Sequence, residues 1–214
     1  MPRKPVQVSS EHPYLVTARC HNREWFDLPL PIVWSAFEDY LFLTKYEFEL
    51  RIHAFVLMAN HFHLLVSTPN ANISVSMQYL LNQTSKEITK LTGRINQTYG
   101  SRHHKTLIET DHQFENCYKY LYRNPVRAGA CERVQDYRFS TLHGLLGGSR
   151  LIIPVEEDRR LFTPEFDEKS LAWLNSAPNQ NREDDVRKAI RRSIFKLPRC
   201  KQLGILNPLE TELL

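Results

Sequence analysis

The sequence predicts an α+β fold, a mainly antiparallel sheet with helices packed on it. Segments of period two and segments of period 3.6 alternate in the order β, α, β, β, α, β, α. Two of the strands are joined by a step too short for anything but a hairpin. Each intervening helical segment carries one apolar face.

The first strand is Tyr14-Leu15-Val16-Thr17-Ala18-Arg19-Cys20, rich in β-formers and entered through Pro13. Pro31 then precedes Val33, Trp34, Phe37, Tyr40 and Leu41, spaced three and four apart as one helix face requires. Residues 48–57 read as a second strand, with Arg51 and His53 alternating against Ile52 and Ala54. Ala59-Asn60 is a tight connection into a third strand, His61-Phe62-His63-Leu64-Leu65-Val66. After Thr68-Pro69-Asn70 a helix begins near Ile73 and runs to about Thr92, with Val75, Met77, Leu80, Leu81, Thr84 and Ile88 as its core face and Gly93 as its stop. A short strand over 105–109 follows, and Asp111 can cap a helix over 113–122 that Pro125 ends or bends. The order resembles a ferredoxin-like arrangement.

Beyond Phe139-Ser140-Thr141 the character changes. Gly144, Gly147 and Gly148 loosen the chain, Pro154 and Pro164 interrupt it, and Leu161-Phe162 and Leu171-Ala172-Trp173-Leu174 are isolated apolar patches. The expected division is a main domain over 1–149 and a C-terminal extension over 150–214 that packs partly on it. The last helix, over 183–195, would place Val186, Ile190 and Ile194 on one line and Arg187, Lys188, Arg191 and Arg192 opposite.

With 214 residues, 42% hydrophobic and 24% charged, the chain has apolar material for a real core. No run approaches the roughly 18 apolar residues of a membrane span, and Met-Pro-Arg-Lys-Pro lacks the apolar stretch of a secretory signal, so a cytoplasmic protein is expected. Cys20, Cys117, Cys131 and Cys200 are scattered, which argues against a structural zinc site and a disulfide framework. A net charge of +4 permits a polyanionic partner, and residues 186–201 hold seven Lys or Arg with no Asp or Glu. That imbalance favours phosphate contacts.

His61 and His63 project from one face of their strand while Phe62, Leu64 and Val66 fill the other, so two imidazoles converge. Paired imidazoles suit a divalent metal, although alone the pair is as compatible with a structural role. In the tyrosine-rich run 117–127, Tyr120 and Asn124 lie four apart on one helix face and present a phenol beside a carboxamide. Two imidazoles and an amide oxygen would leave an octahedral Mg²⁺ or Mn²⁺ with open positions for a phosphate oxygen and water.

Asn60-His61-Phe62-His63-Leu64-Leu65-Val66 resembles the His-hydrophobe-His motif of the HUH single-strand nucleases, and Tyr120-Leu121-Tyr122-Arg123-Asn124-Pro125-Val126-Arg127-Ala128-Gly129 resembles the tyrosine motif of the REP-associated tyrosine transposases. The likeness covers roughly residues 12 to 140. It departs from the family pattern at Tyr122 and over 99–105. The resemblance implies a ferredoxin-like HUH fold with His61 and His63 as metal ligands, Asn124 as the third, and Tyr120 as nucleophile. It implies a bacterial, nucleoid-associated nuclease and strand transferase that needs Mg²⁺ or Mn²⁺ and acts at palindromic hairpins in single-stranded DNA through a 5′-phosphotyrosine intermediate. The alternative is a domesticated hairpin-binding protein with little turnover. Arg102, Lys105, Arg123, Arg127, Arg187, Lys188, Arg191 and Arg192 are candidate DNA contacts, and Tyr14, Phe26 or Tyr99 candidate stacking platforms. The extension favours a monomer over the dimer of the insertion-sequence relatives.

Overall fold

The computed structural model describes residues 8–93, 97–156, 167–198 and 207–214. Cys200, Pro164 and the Leu161-Phe162 patch lie outside the described residues. Among the described residues no helix is long and apolar enough to cross a membrane.

Four strands, β1 (Tyr14–Arg19), β2 (Arg51–Leu57), β3 (His61–Ser67) and β4 (His104–Leu107), form one antiparallel sheet in the order β2-β3-β1-β4. Helices α1 (Leu30–Phe48) and α2 (Ile73–Thr92) cover one face, where Val16, Phe37, Phe55, Phe62, Leu64 and Met77 share a core. Helix α3 (Asp111–Arg127) covers the other face with Leu15, Val56, Leu65, Phe114 and Leu121. Short helices α4 (Thr141–Leu145), α5 (Glu168–Asn175) and α6 (Gln180–Ala189) pack on that side, and buried Leu174, Val186, Leu209 and Leu214 close its core. The predicted α+β class and ferredoxin-like strand order are both present.

Several boundaries differ from expectation for local reasons. Helix α1 runs to Phe48, and Glu49 turns the chain in the left-handed region at φ +54° before β2 starts at Arg51. The expected alternation through Ile52 and Ala54 fails because β2 shifts register between them. Ile52 and Phe55 therefore enter the α1 core while Ala54 and Val56 face α3. Strand β4 ends at Leu107 rather than residue 109. The cap of α3 is Thr110, whose hydroxyl accepts from the Gln113 amide at 3.2 Å, and the helix continues through Pro125 to Arg127. Pro125 removes the N–H that would donate to the Leu121 carbonyl, and the helix ends two residues later.

The largest correction concerns the last predicted helix. α6 starts at Gln180 and ends at Ala189, because Thr106 Oγ donates to the carbonyls of Ile190 (2.6 Å) and Arg192 (2.8 Å) and draws the chain alongside β4. There the Leu107 amide donates to Ser193 O at 2.9 Å and the Phe195 amide to Leu107 O at 2.8 Å. The opposite edge, β2, is bridged at Ile52 by Val155 and at Val56 by Ser140. Both edge strands thus carry bridges from later segments of the chain.

Candidate active site

The sheet's pleat puts His61 and His63 on the face that α3 covers, and α3 brings Tyr120 down onto them. The two imidazole centroids are 5.1 Å apart and nearly perpendicular. The Tyr120 ring lies 5.9 Å from His63, also edge-on. Asn124 follows one turn later on α3, and its Nδ2 donates to Tyr120 O at 2.8 Å. Its Oδ1 is thereby turned to the outside of the helix, where Arg127 donates to it at 3.3 Å. The Arg127 guanidinium stands 5.5 Å over the Tyr120 ring.

Hydrogen bonding fixes the tautomer of His61. Asn60 Nδ2 donates to Arg23 O at 2.9 Å, so Asn60 Oδ1 must accept from His61 Nδ1 at 2.7 Å. The free lone pair of His61 is then on Nε2. His63 is 5% exposed, yet neither ring nitrogen has a hydrogen-bond partner among the described residues. Burial, reinforced by the charges of Arg19 and Arg127, lowers the His61 pKa to about 4. Burial first, then His61 and the two arginines, push His63 well below its ordinary value. Both imidazoles are neutral at pH 7, the state a metal needs.

Among the described residues no three His, Cys, Asp or Glu side chains gather into a metal cluster. The two neutral imidazoles are nitrogen donors of the kind that suits a borderline divalent cation. The unpartnered nitrogens of His63 are the observation that fits such an ion: a polar group buried without a partner costs about 1–3 kcal/mol.

Tyr120 is 4% exposed, and burial raises its pKa against the lowering effect of Arg127 and Arg187. Its neighbours are committed elsewhere. Tyr122 shares a 2.8 Å hydrogen bond with Thr141 Oγ, and Tyr118 stacks edge-on against Tyr122 at 4.9 Å.

The expected DNA contacts separate into groups. Arg127 lies at the site. Arg123 is 7% exposed, and its guanidinium donates to the carbonyls of Leu174 (3.4 Å) and Asn175 (2.7 Å) at the end of α5. Arg187 and Lys188 pair at 3.1 Å with Asp184 and Asp185, one turn earlier on α6, which offsets the expected basic face. Arg191 and Arg192 are exposed beyond the helix end. Arg102 is exposed and Lys105 half-buried, both on the α2 side of β4. Of the candidate stacking platforms, Tyr14, Phe26 and Tyr99 are buried, with Phe26 edge-on to Phe37 and to Tyr99 at 6.4 Å.

Two contributors escaped the sequence reading. Asn60 orients His61, and its only signal was a polar residue in a hairpin immediately before the first histidine. Glu183, on α6, lies 3.9 Å from Arg127. Nothing in the sequence links those two positions.

Residues 16–120 match the family model described as "Transposase IS200 like". A Haemophilus influenzae protein whose name assigns it to the REP-associated tyrosine transposases is 28% identical over 101 residues, 42% of this chain. The match spans 57% of that relative's length. A solved structure of a REP-associated tyrosine transposase bound to a REP hairpin superposes with a TM-score of 0.57 at 20% identity, covering 77% of this chain and 99% of that one. At that identity the superposition establishes the fold.

Proposed function

We propose that this chain, which resembles the IS200-like and REP-associated tyrosine transposases, nicks and rejoins single-stranded DNA at palindromic hairpins, with Tyr120 as nucleophile and His61, His63 and Asn124 as ligands of Mg²⁺ or Mn²⁺. One observation carries this reading: a buried imidazole with two unpartnered nitrogens, 5.9 Å from a perpendicular tyrosine ring.

Asn60 holds the Nδ1 proton of His61, so Nε2 presents its lone pair. His63 presents a second, and Asn124 Oδ1 is available once Arg127 releases it. Bound there, the cation supplies Lewis-acid polarisation of the scissile phosphate. The Tyr120 oxygen attacks phosphorus, its proton passes to solvent, and Arg127 offsets the phenolate charge. The bond from phosphorus to the 3′-oxygen breaks, that oxygen leaves as a hydroxyl, and the 5′-phosphate stays esterified to Tyr120. Attack by a 3′-hydroxyl on this ester restores a phosphodiester and returns the phenol. No ATP is needed, because the bond energy is retained.

The near-complete burial of Tyr120 favours a second reading, in which the chain binds hairpins with little turnover. A hairpin-bearing single-stranded DNA incubated with Mn²⁺ separates the two. The first reading expects a covalent protein–DNA adduct that survives denaturing electrophoresis and is lost in Tyr120→Phe. Hairpin binding with no adduct in either protein supports the second, and absence of both rejects the two together.

A further inference from the structure

Four consecutive residues of α6, Arg182 to Asp185, are charged, and three of them are engaged within the extension. Arg182 pairs with Glu212, Asp184 with Arg187 at 3.1 Å, and Asp185 with Lys188 at 3.1 Å. Glu183 reaches across to α3 instead. Its side chain is 14% exposed, and its carboxylate stands 3.9 Å from Nε of Arg127, the last residue of α3.

Arg127 needs such an anchor. It lies at a helix end, two residues before Gly129 turns the chain at φ +71°, and its long, partly exposed side chain has many rotamers to lose. Its place matters because the guanidinium stands 5.5 Å over the Tyr120 ring, beside the oxygen on which negative charge develops during attack. One hold on it is the 3.3 Å bond that Nη2 donates to Asn124 Oδ1. Glu183 supplies a second hold, through Nε. The fork is planar and rigid, so contacts at Nε and Nη2 together fix its plane as well as its place.

The carboxylate is itself held in place. It sits in the first turn of α6, where the helix dipole favours a negative charge, and buried Val186 and Ala189 seat that helix in the core it shares with α3. Around it on α3 stand three cations, Lys119, Arg123 and Arg127, and the Tyr120 phenol. By charge alone Glu183 would slow the attack, because it opposes the negative charge that develops on Tyr120. A constructive role must therefore run through Arg127.

We infer that Glu183 is a positioning residue for strand cleavage, which holds the Arg127 guanidinium over the Tyr120 ring. The inference rests on the reading of Tyr120 as nucleophile given above. It makes α6, a helix of the extension, part of the support of the catalytic centre.

The test compares, in the full chain, the single-turnover rate of adduct formation on a hairpin-bearing single-stranded DNA with Mn²⁺ and the hairpin affinity in EDTA. Glu183→Gln, which keeps the shape and removes the charge, should slow adduct formation about tenfold to a hundredfold and leave hairpin affinity unchanged. Arg127→Gln should slow it as well. The double variant should be no slower than Arg127→Gln alone, since the carboxylate acts only through the guanidinium. A faster or unchanged rate in Glu183→Gln, losses that multiply in the double variant, or a parallel loss of hairpin affinity each overturns the inference. The guanidinium itself is read by NMR in the metal-free protein, as cross-relaxation between the Arg127 Nε–H and the Tyr120 ring. That signal should be present in the wild type and absent in Glu183→Gln; the same result in both proteins overturns the inference too. A wild type that forms no adduct sinks the proposed function, and the NMR comparison alone then judges whether Glu183 places Arg127.

Discussion

Replacing His63 with leucine should stabilise the metal-free protein while removing its proposed metal affinity. His63 lies between Thr17 and Val56 as its sheet partners, is 5% exposed, and has two ring nitrogens without a hydrogen-bond partner among the described residues. Such a group costs about 1–3 kcal/mol, and a leucine of similar volume relieves that cost without a new polar atom. In a chain of 214 residues each kcal/mol shifts Tm by about 2–4 °C. His63→Leu in EDTA should therefore melt about 2–12 °C higher by calorimetry. Added Mn²⁺ should then raise the wild type alone and close or reverse the gap. At a hundredfold excess over its dissociation constant a ligand stabilises by about 2.7 kcal/mol, a gain open to the wild type and closed to the variant. A variant that melts below the wild type in EDTA would show that His63 is a satisfied core residue, and equal Mn²⁺ stabilisation of both proteins would put any metal elsewhere.

Three further outcomes follow from the same geometry. Asn60→Ala frees the His61 tautomer and should weaken Mn²⁺ binding about 10–100-fold by isothermal titration, the usual worth of a residue that orients a ligand. The metal-free protein should lose stability in acid: His61, His63 and His103 have folded pKa values below the ordinary 6.5, so the unfolded chain takes up protons that the folded one refuses. Their stabilising contribution is complete above about pH 6.5 and falls toward pH 4, each histidine removing up to about 1.4 kcal/mol per pH unit, which urea midpoints at stepped pH would report. Lys119 is 1% exposed and donates to Ser176 Oγ (2.7 Å) and Leu214 O (2.6 Å), so Lys119→Met should cost about 1–3 kcal/mol and raise amide hydrogen exchange over 207–214.

The element order was legible from alternating periods of two and 3.6, the shared face of the histidine pair from period two, and β1, the β2–β3 hairpin and α2 are bounded by strong punctuation. The bounds of helix α2 were legible, since Gly93 turns at φ +67°, but Val75, expected on its core face, is 49% exposed. The misreadings share one cause, a tertiary partner that overrides local pattern. The bulge at His53 follows from its bonds to Ser67 (2.7 Å) and to Glu156 O (3.2 Å), a residue over a hundred positions away. The helix expected over 183–195 stops early because β4 needs an edge partner more than Ile194 needs a helical turn. Charge counting failed on Arg187 and Lys188 for a simpler reason: the acids that neutralise them fall just before the window that held only basic residues.

Arg123 shows what adjacency in sequence conceals. Residues on α3 advance by about 100° each, so Asn116, Lys119 and Arg123 occupy one sector, Tyr120 and Arg127 the next, and Asn124 lies beyond them. The first sector is taken up by the extension: Asn116 Oδ1 accepts from the Leu214 amide at 2.6 Å, Lys119 donates to the same residue's carbonyl, and Arg123 holds the end of α5. Tyr120, in the middle sector, meets His63 of β3. Arg127 stands on the boundary, reaching Glu183 of the extension at 3.9 Å on one side and Asn124 of the candidate site at 3.3 Å on the other. The extension and the candidate site thus share one helix and compete for one guanidinium. Glu183 and Asn124 hold the Arg127 side chain from two sides, its Nε toward the acid of α6 and its Nη2 toward the carboxamide of α3.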